Sequence, residues 1–191
     1  YERETVHAVL DAGLVAHVAF IQDGEPVVVP MLYGRDGERI YLHGARKARV
    51  IRLLESTKRA SLNVTLLDAL VLARSAFNSS MNYRSVMVFG TARPILDADE
   101  KRQSIQVLVD HLMPGRRAEL RKSTIKELNA TSMLALPIET FSVKCRTGPP
   151  EDTKSDLDTP VWAGVVPLQL TAGEPVDAPD LLPGITRPDY L

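Results

Sequence analysis

The sequence predicts a mainly β protein: an antiparallel β-barrel carrying a few helices. Three observations lead there. Two Asp-Gly connections, in "QDGE" and "GRDGE", each join a pair of apolar runs, and Asp-Gly between such runs is a strong hairpin signal. The strand-like segments follow one another around a single long helical pattern, with no alternation of strand and crossover helix. The 191 residues are 45% hydrophobic and 25% charged, ordinary for one globular domain able to bury most of its chain without staples.

Thr5 to Asp11 predicts a short helix, with Val6, Val9 and Leu10 at helical spacing and Gly13 just past its end. A three-stranded meander follows: Leu14–Ile21, Pro26–Tyr33 and Arg39–His43. Pro30 falls inside the second strand, and because proline cannot donate to a ladder, an edge or a bulge is expected there.

"IYLHGARKARVIRLLES" then reads as a strand end, a Gly turn and a helix whose apolar stripe is Val50, Ile51 and Leu54. Arg46, Lys47, Arg49 and Arg52 crowd the helix start, although a helix N-terminus favours acids by ~0.3–1 kcal/mol each. On helical phase Lys47 lies one turn before Ile51, which turns it inward and calls for a partner. Arg49 and Arg52 share another flank, and Arg52 is expected at the surface.

"ASLNVTLLDALVLARS" alternates as a half-buried strand, with Asp68 marking a bulge or turn. "NYRSVMVFGTARPI" is apolar on both faces, so burial on both sides is expected. "DADEKRQSIQVLVDHLMPG" is a helix with acids in its first turn, a stripe of Ile105, Leu108, Val109 and Leu112, and a Pro-Gly stop. "TIKE" fits a capping box for a second short helix. "SMLALPIETFSVKCR" returns to strand and "PVWAGVVPL" is another. Eight of the thirteen prolines follow Gly148, predicting an irregular C-terminal arm over 148–191, wrapped on the surface and anchored by Trp162.

Composition narrows the function. The net charge of −1 and 5% aromatic content argue against a nucleic-acid surface. No apolar run approaches the ~20 residues of a membrane helix, and the acidic, amphipathic start is not expected to be a secretory signal. The single cysteine, Cys145, cannot form an internal disulfide, which favours a reducing, cytoplasmic setting. There is no GxGxxG, P-loop, HExxH, CxxC or GxSxG motif, so neither a classical dinucleotide fold, a zinc site nor a hydrolase triad is indicated. No metal site is expected, and no side chain stands out as a catalytic acid or base.

Positive charge is nevertheless local. Arg39 to Leu54 holds five bases and no acid, and Ala69 to Leu96 holds three arginines and no acid. "HGARKAR" supplies a Gly turn, helix N–H groups and fixed charge, a combination that suits a phosphate. "SMNYRSV" supplies a Tyr, an Arg and hydroxyls beside an apolar wall. Together they predict a phosphate-bearing aromatic ligand.

These segments, "PVVVPMLYGRDGERIYLHGARKAR" and "VTLLDALVLARSAFNSSMNYRSVMVFGTA", with "VLVDHLMPGR" and "PVWAGVVPL", resemble the pyridoxamine 5′-phosphate oxidase-like FMN-binding split-barrel family, in its nitroimidazole-reductase-related branch. The resemblance covers about Thr5 to Leu170. It implies a six-stranded antiparallel split β-barrel that forms a homodimer, with FMN in each of two grooves between subunits. By that resemblance the FMN phosphate meets His43, Gly44, Ala45, Lys47 and Arg49, with help from Ser85. The isoalloxazine lies along the backbone of Pro30, Met31, Leu32 and Tyr33, flanked by Asn82, Tyr83 and Arg84, and Trp162 closes the site from the partner subunit.

The expected activity is that of an FMN-dependent oxidoreductase acting on a small oxidised organic molecule, with a nicotinamide cofactor as electron source and Arg84 as the group stabilising reduced flavin. The alternative is a flavin, haem or deazaflavin binding or sensing protein without turnover. For haem, only His43 among the histidines stands beside the proposed site. His43 is either a flavin-adjacent functional histidine, as in related nitroimidazole reductases, or a ring hydrogen-bonded to backbone or phosphate. Two departures bear on substrate: Asn78 and Ser79 stand where relatives carry histidines, and the tail lacks the Arg-rich substrate-phosphate site of true pyridoxamine-phosphate oxidases. Lys47→Ala combined with Arg49→Ala is expected to weaken FMN binding in a titration; unchanged affinity would overturn the phosphate assignment.

Overall fold

A computed structural model describes residues 2–57 and 59–191. Helix α1 (Arg3–Ala12) buries Val6, Val9 and Leu10 on the barrel. Gly13 caps it with φ −84°, extended rather than left-handed. The meander is β1 (Val15–Gln22), β2 (Glu25–Asp36) and β3 (Arg39–Ala45). Helix α2 (Arg49–Thr57) leads to the long hairpin of β4 (Arg59–Leu72) and β5 (Ser80–Thr91). After the two-residue β6 (Arg93–Pro94) come α3 (Ala98–Leu112), α4 (Ile125–Ala130), β7 (Thr131–Pro137), β8 (Thr140–Arg146) and β9 (Gly164–Pro167).

Nine strands are present among the described residues where six were expected. They form one antiparallel sheet in the order β6-β7-β3-β2-β1-β4-β5-β8, with β9 on the outer end of β4. Two of the additional strands are short, β6 and β9. "SMLALPIETFSVKCR", read as one strand, is two, because the chain turns at Ile138–Glu139 and passes from β3 on one side of the sheet to β5 on the other. The sheet therefore curls into a half-barrel. Where the curl tightens, β5 approaches β7 so closely that a Cβ on Gly90 would sit 2.3 Å from the Pro137 carbonyl oxygen.

Local chemistry explains the elements. The Asp97 carboxylate accepts from the Asp99 and Glu100 N–H groups and starts α3. Thr124 and Glu127 close the expected capping box of α4. Asp68 is the bulge in β4, with the register slipping between Leu67 and Ala69. Pro30 pairs with His17 in an unbroken β1–β2 register, so it is an edge residue and not a bulge. Its free side faces no strand, because β3 pairs with β2 only from Tyr33 onward.

That parting of β2 and β3 positions the site. β2 stays with β1, whereas His43, Gly44 and Ala45 pair with Met133, Ser132 and Thr131 of β7. Helix α2 fills the gap from the core side, with Ile51 and Leu54 fully buried. Gly44 makes this possible: a Cβ there would lie 2.7 Å from Ile51 Cγ1. A second, smaller core of Tyr41, Ile95, Leu108, Met133 and Ala135 joins α3 to the outer face of β3 and β7.

Within this chain β5 is buried on one side; its other face is the one expected to meet another helix or another subunit. Val86, Val88 and Gly90 face the core, while Met87 is 38% exposed. The arm after Gly148 is mostly irregular. Trp162 does not anchor it, being 65% exposed with its ring against Gly164. The arm is held instead by Arg74, whose backbone N–H and Nη1 donate to the buried Asp152 carboxylate (2.9 and 2.8 Å), by Asn82 Nδ2 donating to the Gly148 carbonyl (3.0 Å), and by Tyr190 at Arg116 and Glu119.

Gly90→Ala is expected to lower stability by ~1–3 kcal/mol, since the obstruction is backbone and cannot swing aside. A fall in the urea midpoint checks this, and an unchanged midpoint would mean the β5–β7 contact is not tight.

Candidate cofactor site

β3 has core residues on both faces near its middle: Ile40 and Leu42 point into the barrel and Tyr41 points under α3. His43, next on the outer face, emerges where this cover ends. Leu32 lies across the split from it. The two line a slot of about 480 Å³ whose opposite wall is Ile105, Leu108 and Val109 of α3, with Leu128 of α4. This size and apolar lining suit a flat cofactor-sized ligand. The His43 ring makes no hydrogen bond or ion pair among the described residues, so it is a free donor atom on an apolar wall.

Strand alternation sorts the expected ring contacts. Pro30 and Leu32 face outward, whereas Met31 and Tyr33 are core residues. The Tyr33 hydroxyl donates to the Leu10 carbonyl, and its ring lies 4.7 Å from that of His111, which contacts the Gly13 carbonyl through Nε2 at 2.7 Å. Burial, followed by the nearby Asp11, pushes the Tyr33 phenol above its ordinary range. Tyr33 therefore ties β2 to α1 and α3, and only its backbone remains near the split.

The expected phosphate end is partly rearranged. Helix α2 begins at Arg49, so Lys47 lies on the preceding turn, closed by the Ala48 N–H on the Ala45 carbonyl (2.7 Å), and its side chain is exposed. The inward placement read from helical phase is thus incorrect: residues 46–48 are not helical. Arg49 is exposed and its Nε donates to Gln22 Oε1 at 2.8 Å, fixing α2 to the end of β1. Arg46, not among the residues expected at the phosphate, and Arg52, exposed as expected, line a cleft of about 510 Å³ with Glu55 and Lys101. The Lys101 ammonium also donates to the Leu128 and Thr131 carbonyls, at 3.2 and 3.0 Å.

Asn82 to Ser85 are not beside the split in the same chain. β5 is separated from β2 by β1 and β4, which at the usual strand spacing is about 14 Å. Asn82 is buried and clips the arm, donating to Gly148 and accepting from Arg146 Nη1 at 2.7 Å. Tyr83 pairs with Arg146 on β8. Arg84 is committed to the bulge residue, with Nε and Nη2 donating to the two Asp68 oxygens at 3.0 and 2.7 Å, and this holds the Asp68 carboxyl below the usual range. Ser85 Oγ accepts from Asn63 Nδ2 at 3.0 Å and meets Thr65 Oγ1 at 2.9 Å. Trp162 flanks β9, away from the slot lining. Within one subunit, then, the fold brings Leu32 and His43 together, with Gly44 and Ala45 following on β3, and keeps Asn82–Ser85 and Trp162 apart from them.

Sequence reasoning missed the rim. Arg121, Ser123 and Glu127 line the slot. The "TIKE" capping box was visible, but not that its glutamate would be gripped by Arg121, whose Nη1 and Nη2 donate to it at 3.0 and 2.5 Å. Leu112, expected in the buried stripe of α3, is 51% exposed on the slot.

The model of the pyridoxamine 5′-phosphate oxidase family matches residues 2–145. The chain belongs to this family. Among solved structures, this oxidase-family chain is 42% identical to the flavocytochrome Anf3 from Azotobacter vinelandii, with a TM-score of 0.92 over 100% of this chain and 88% of that one. It is 43% identical to the FAD and haem binding protein from Mycobacterium smegmatis, with a TM-score of 0.94 over 99% and 93% of the two chains. A Bacteroides thetaiotaomicron protein provisionally assigned to 5-nitroimidazole antibiotic resistance shares the fold at 19% identity, with a TM-score of 0.65 over 74% and 82%. No curated protein matches the chain. No cluster of three or more potential metal-binding His, Cys, Asp or Glu side chains occurs among the described residues.

Glu127 yields a pH prediction. The Arg121 guanidinium, then the Thr124 backbone and hydroxyl, lower its carboxyl from 4.5 to about 2. A lowered folded-state value stabilises the native rim above the unfolded value, and that contribution is lost as pH falls from about 4.5 to about 2. A carboxyl-carbon NMR titration should show Glu127 ionised at pH 3. Glu127→Gln should flatten the acid limb of the stability curve in that window; an ordinary midpoint near 4.5 would contradict the ion pair.

Proposed function

We propose that this chain is a redox protein that binds a flavin along the open edge of β2 and a haem in the slot beside His43. The carrying observation is His43: an imidazole with no partner among the described residues, facing an apolar slot. It stands in a chain more than 40% identical, over almost its whole length, to a flavocytochrome and to an FAD and haem binding protein. Among biological cofactors, a flavin supplies hydride and two-electron chemistry and a haem supplies single-electron and oxygen chemistry. The protein's part is binding and electrostatics. His43 would hold the haem iron through its imidazole, and the leucine and isoleucine walls would exclude water.

Pro30–Leu32 offer backbone groups that no strand uses, which supports the isoalloxazine expected there. The Mycobacterium smegmatis relative holds FAD, which favours FAD over the FMN expected from sequence. The cleft of Arg46, Arg52 and Lys101 beyond β3 would suit the phosphates of the longer cofactor. A homodimer belongs to this reading. The outer sheet face exposes Val15, Val28, Leu67 and Met87, and Phe77 at the β4–β5 turn is 93% exposed. A second copy would cover that face and bring Asn82–Ser85 or Trp162 of one chain toward the split of the other. Activity would be that of an oxidoreductase on a small molecule with a nicotinamide reductant. The free Cys145 suits a reducing cytoplasm, and no described helix is long and apolar enough to cross a membrane.

The purified protein, supplied with flavin and haem, should show flavin bands and a Soret band. His43→Ala should lose the Soret band and retain the flavin. A protein that takes up neither cofactor overturns the proposal, and a Soret band unchanged in His43→Ala overturns the assignment of His43 to the haem iron.

A further inference from the structure

The slot adjoins a second cavity of about 620 Å³ whose lining is more polar. The two adjoin: Ile105, Val109, Leu120, Arg121 and Ser123 line both. The second cavity is also lined by Arg102, Arg117 and Lys122, and no carboxylate is among its lining residues. The combined space is therefore mainly apolar beside His43, with Glu127 at its rim, and lined by basic side chains beyond Arg121.

The charges differ in commitment. Arg102 is paired with Asp99 at 2.5 Å, Arg117 with Asp110 at 2.9 Å, and Arg121 with Glu127 at 2.5 Å. These contacts fix three guanidinium heads and neutralise part of their charge. Lys122 is different: its ammonium makes no hydrogen bond or ion pair among the described residues. The Ser123 hydroxyl is likewise unused. An uncompensated ammonium, a guanidinium and a free hydroxyl thus stand together where the apolar slot ends.

We propose that Arg121, Lys122 and Ser123 form the receptor for the paired carboxylates at the edge of the slot's flat ligand. The inference rests on the haem reading, since a haem joins a broad apolar face to two propionates on one edge. A flavin fits this distribution less well, because its ring carries amide groups that the leucine walls could not satisfy. The receptor also sets orientation: with the imidazole at one side and the cations at the other, only one edge of the macrocycle meets Lys122.

The test titrates the full-length, flavin-loaded protein with ferric protohaem and separately with its dimethyl ester, in which the carboxylates are blocked. The free acid should bind about tenfold or more tighter than the ester, as charge-assisted hydrogen bonds imply. That preference should collapse in Lys122→Glu, an exposed change that leaves the Arg121–Glu127 pair in place, and in Arg121→Gln with Lys122→Gln. Flavin content and circular dichroism should be unchanged in both. Equal affinity of the wild type for acid and ester, or a preference that survives Lys122→Glu, overturns the receptor and leaves the haem reading standing. A variant that loses flavin in place of haem preference shows a flavin phosphate site and also overturns it. A wild type with no His43-dependent Soret shift for either porphyrin sinks the haem reading itself, and the receptor with it.

Discussion

Ile51 of α2 packs so tightly on Gly44 that no side chain could intervene, and the site is arranged around that contact. With α2 seated there, β3 leaves β2 after the Tyr33–Leu42 pair and continues on β7. One consequence is that β2 keeps an unpaired edge from Glu25 to Leu32. Another is that His43 is carried to the outer face just beyond the cover of α3. A third is that the bases after Gly44 are displaced onto a turn and the flank of α2, not into the core. A β-branched or longer residue at position 44 would have to push α2 outward, and the barrel core around Leu54 and the slot would be disturbed together.

Much of this was legible in the sequence, and the limit of legibility is physical. Signals closed within a few residues came through: the Asp-Gly hairpins, the bulge or turn at Asp68, the acid-rich start of α3 and the Thr124–Glu127 capping box. Pro30, expected at an edge or a bulge, lies on an edge, because a missing N–H is a property of the residue itself. What depended on distant partners did not come through. Tyr33 sits in a strand expected to face a ligand, but its hydroxyl belongs to Leu10, 23 residues earlier. Arg84 looks free in "NYRS", but the bulge turns Asp68 toward it. Lys47 was placed by extending helical phase two residues beyond the point where the helix starts. Trp162 seemed an anchor because it is the one tryptophan, while the arm is held by Asp152 and Asn82, polar residues with no periodic signature.

Many of the arginines are held in ion pairs. Arg35 is held by Asp11, Arg74 by Asp152, Arg84 by Asp68, Arg93 by Glu100 and Arg121 by Glu127. Apart from Arg74–Asp152, whose carboxylate is buried, these are exposed or half-exposed pairs that add little stability, about 0–1 kcal/mol each, and serve chiefly to fix where each head group points. Two of the groups left outside these pairs, the imidazole of His43 and the ammonium of Lys122, line adjoining cavities. The puzzle of bases at a helix start has a similar resolution. Arg46 and Arg52 turn to one cleft and Arg49 to Gln22, so the charges are divided among separate tasks rather than gathered on the helix dipole.

The open edge of β2 also bears on how the protein behaves in a crowded solution. A long unpaired strand is a template on which other chains can polymerise. Here Pro26 and Pro30 remove two of the N–H groups that an incoming peptide would need, and their rings obstruct a close second backbone. The edge can still offer carbonyls and the remaining N–H groups to a small planar molecule, which needs only one or two of them. The same prolines that spoil this strand for protein self-assembly thus leave its carbonyls open, so two residues guard the edge without closing it.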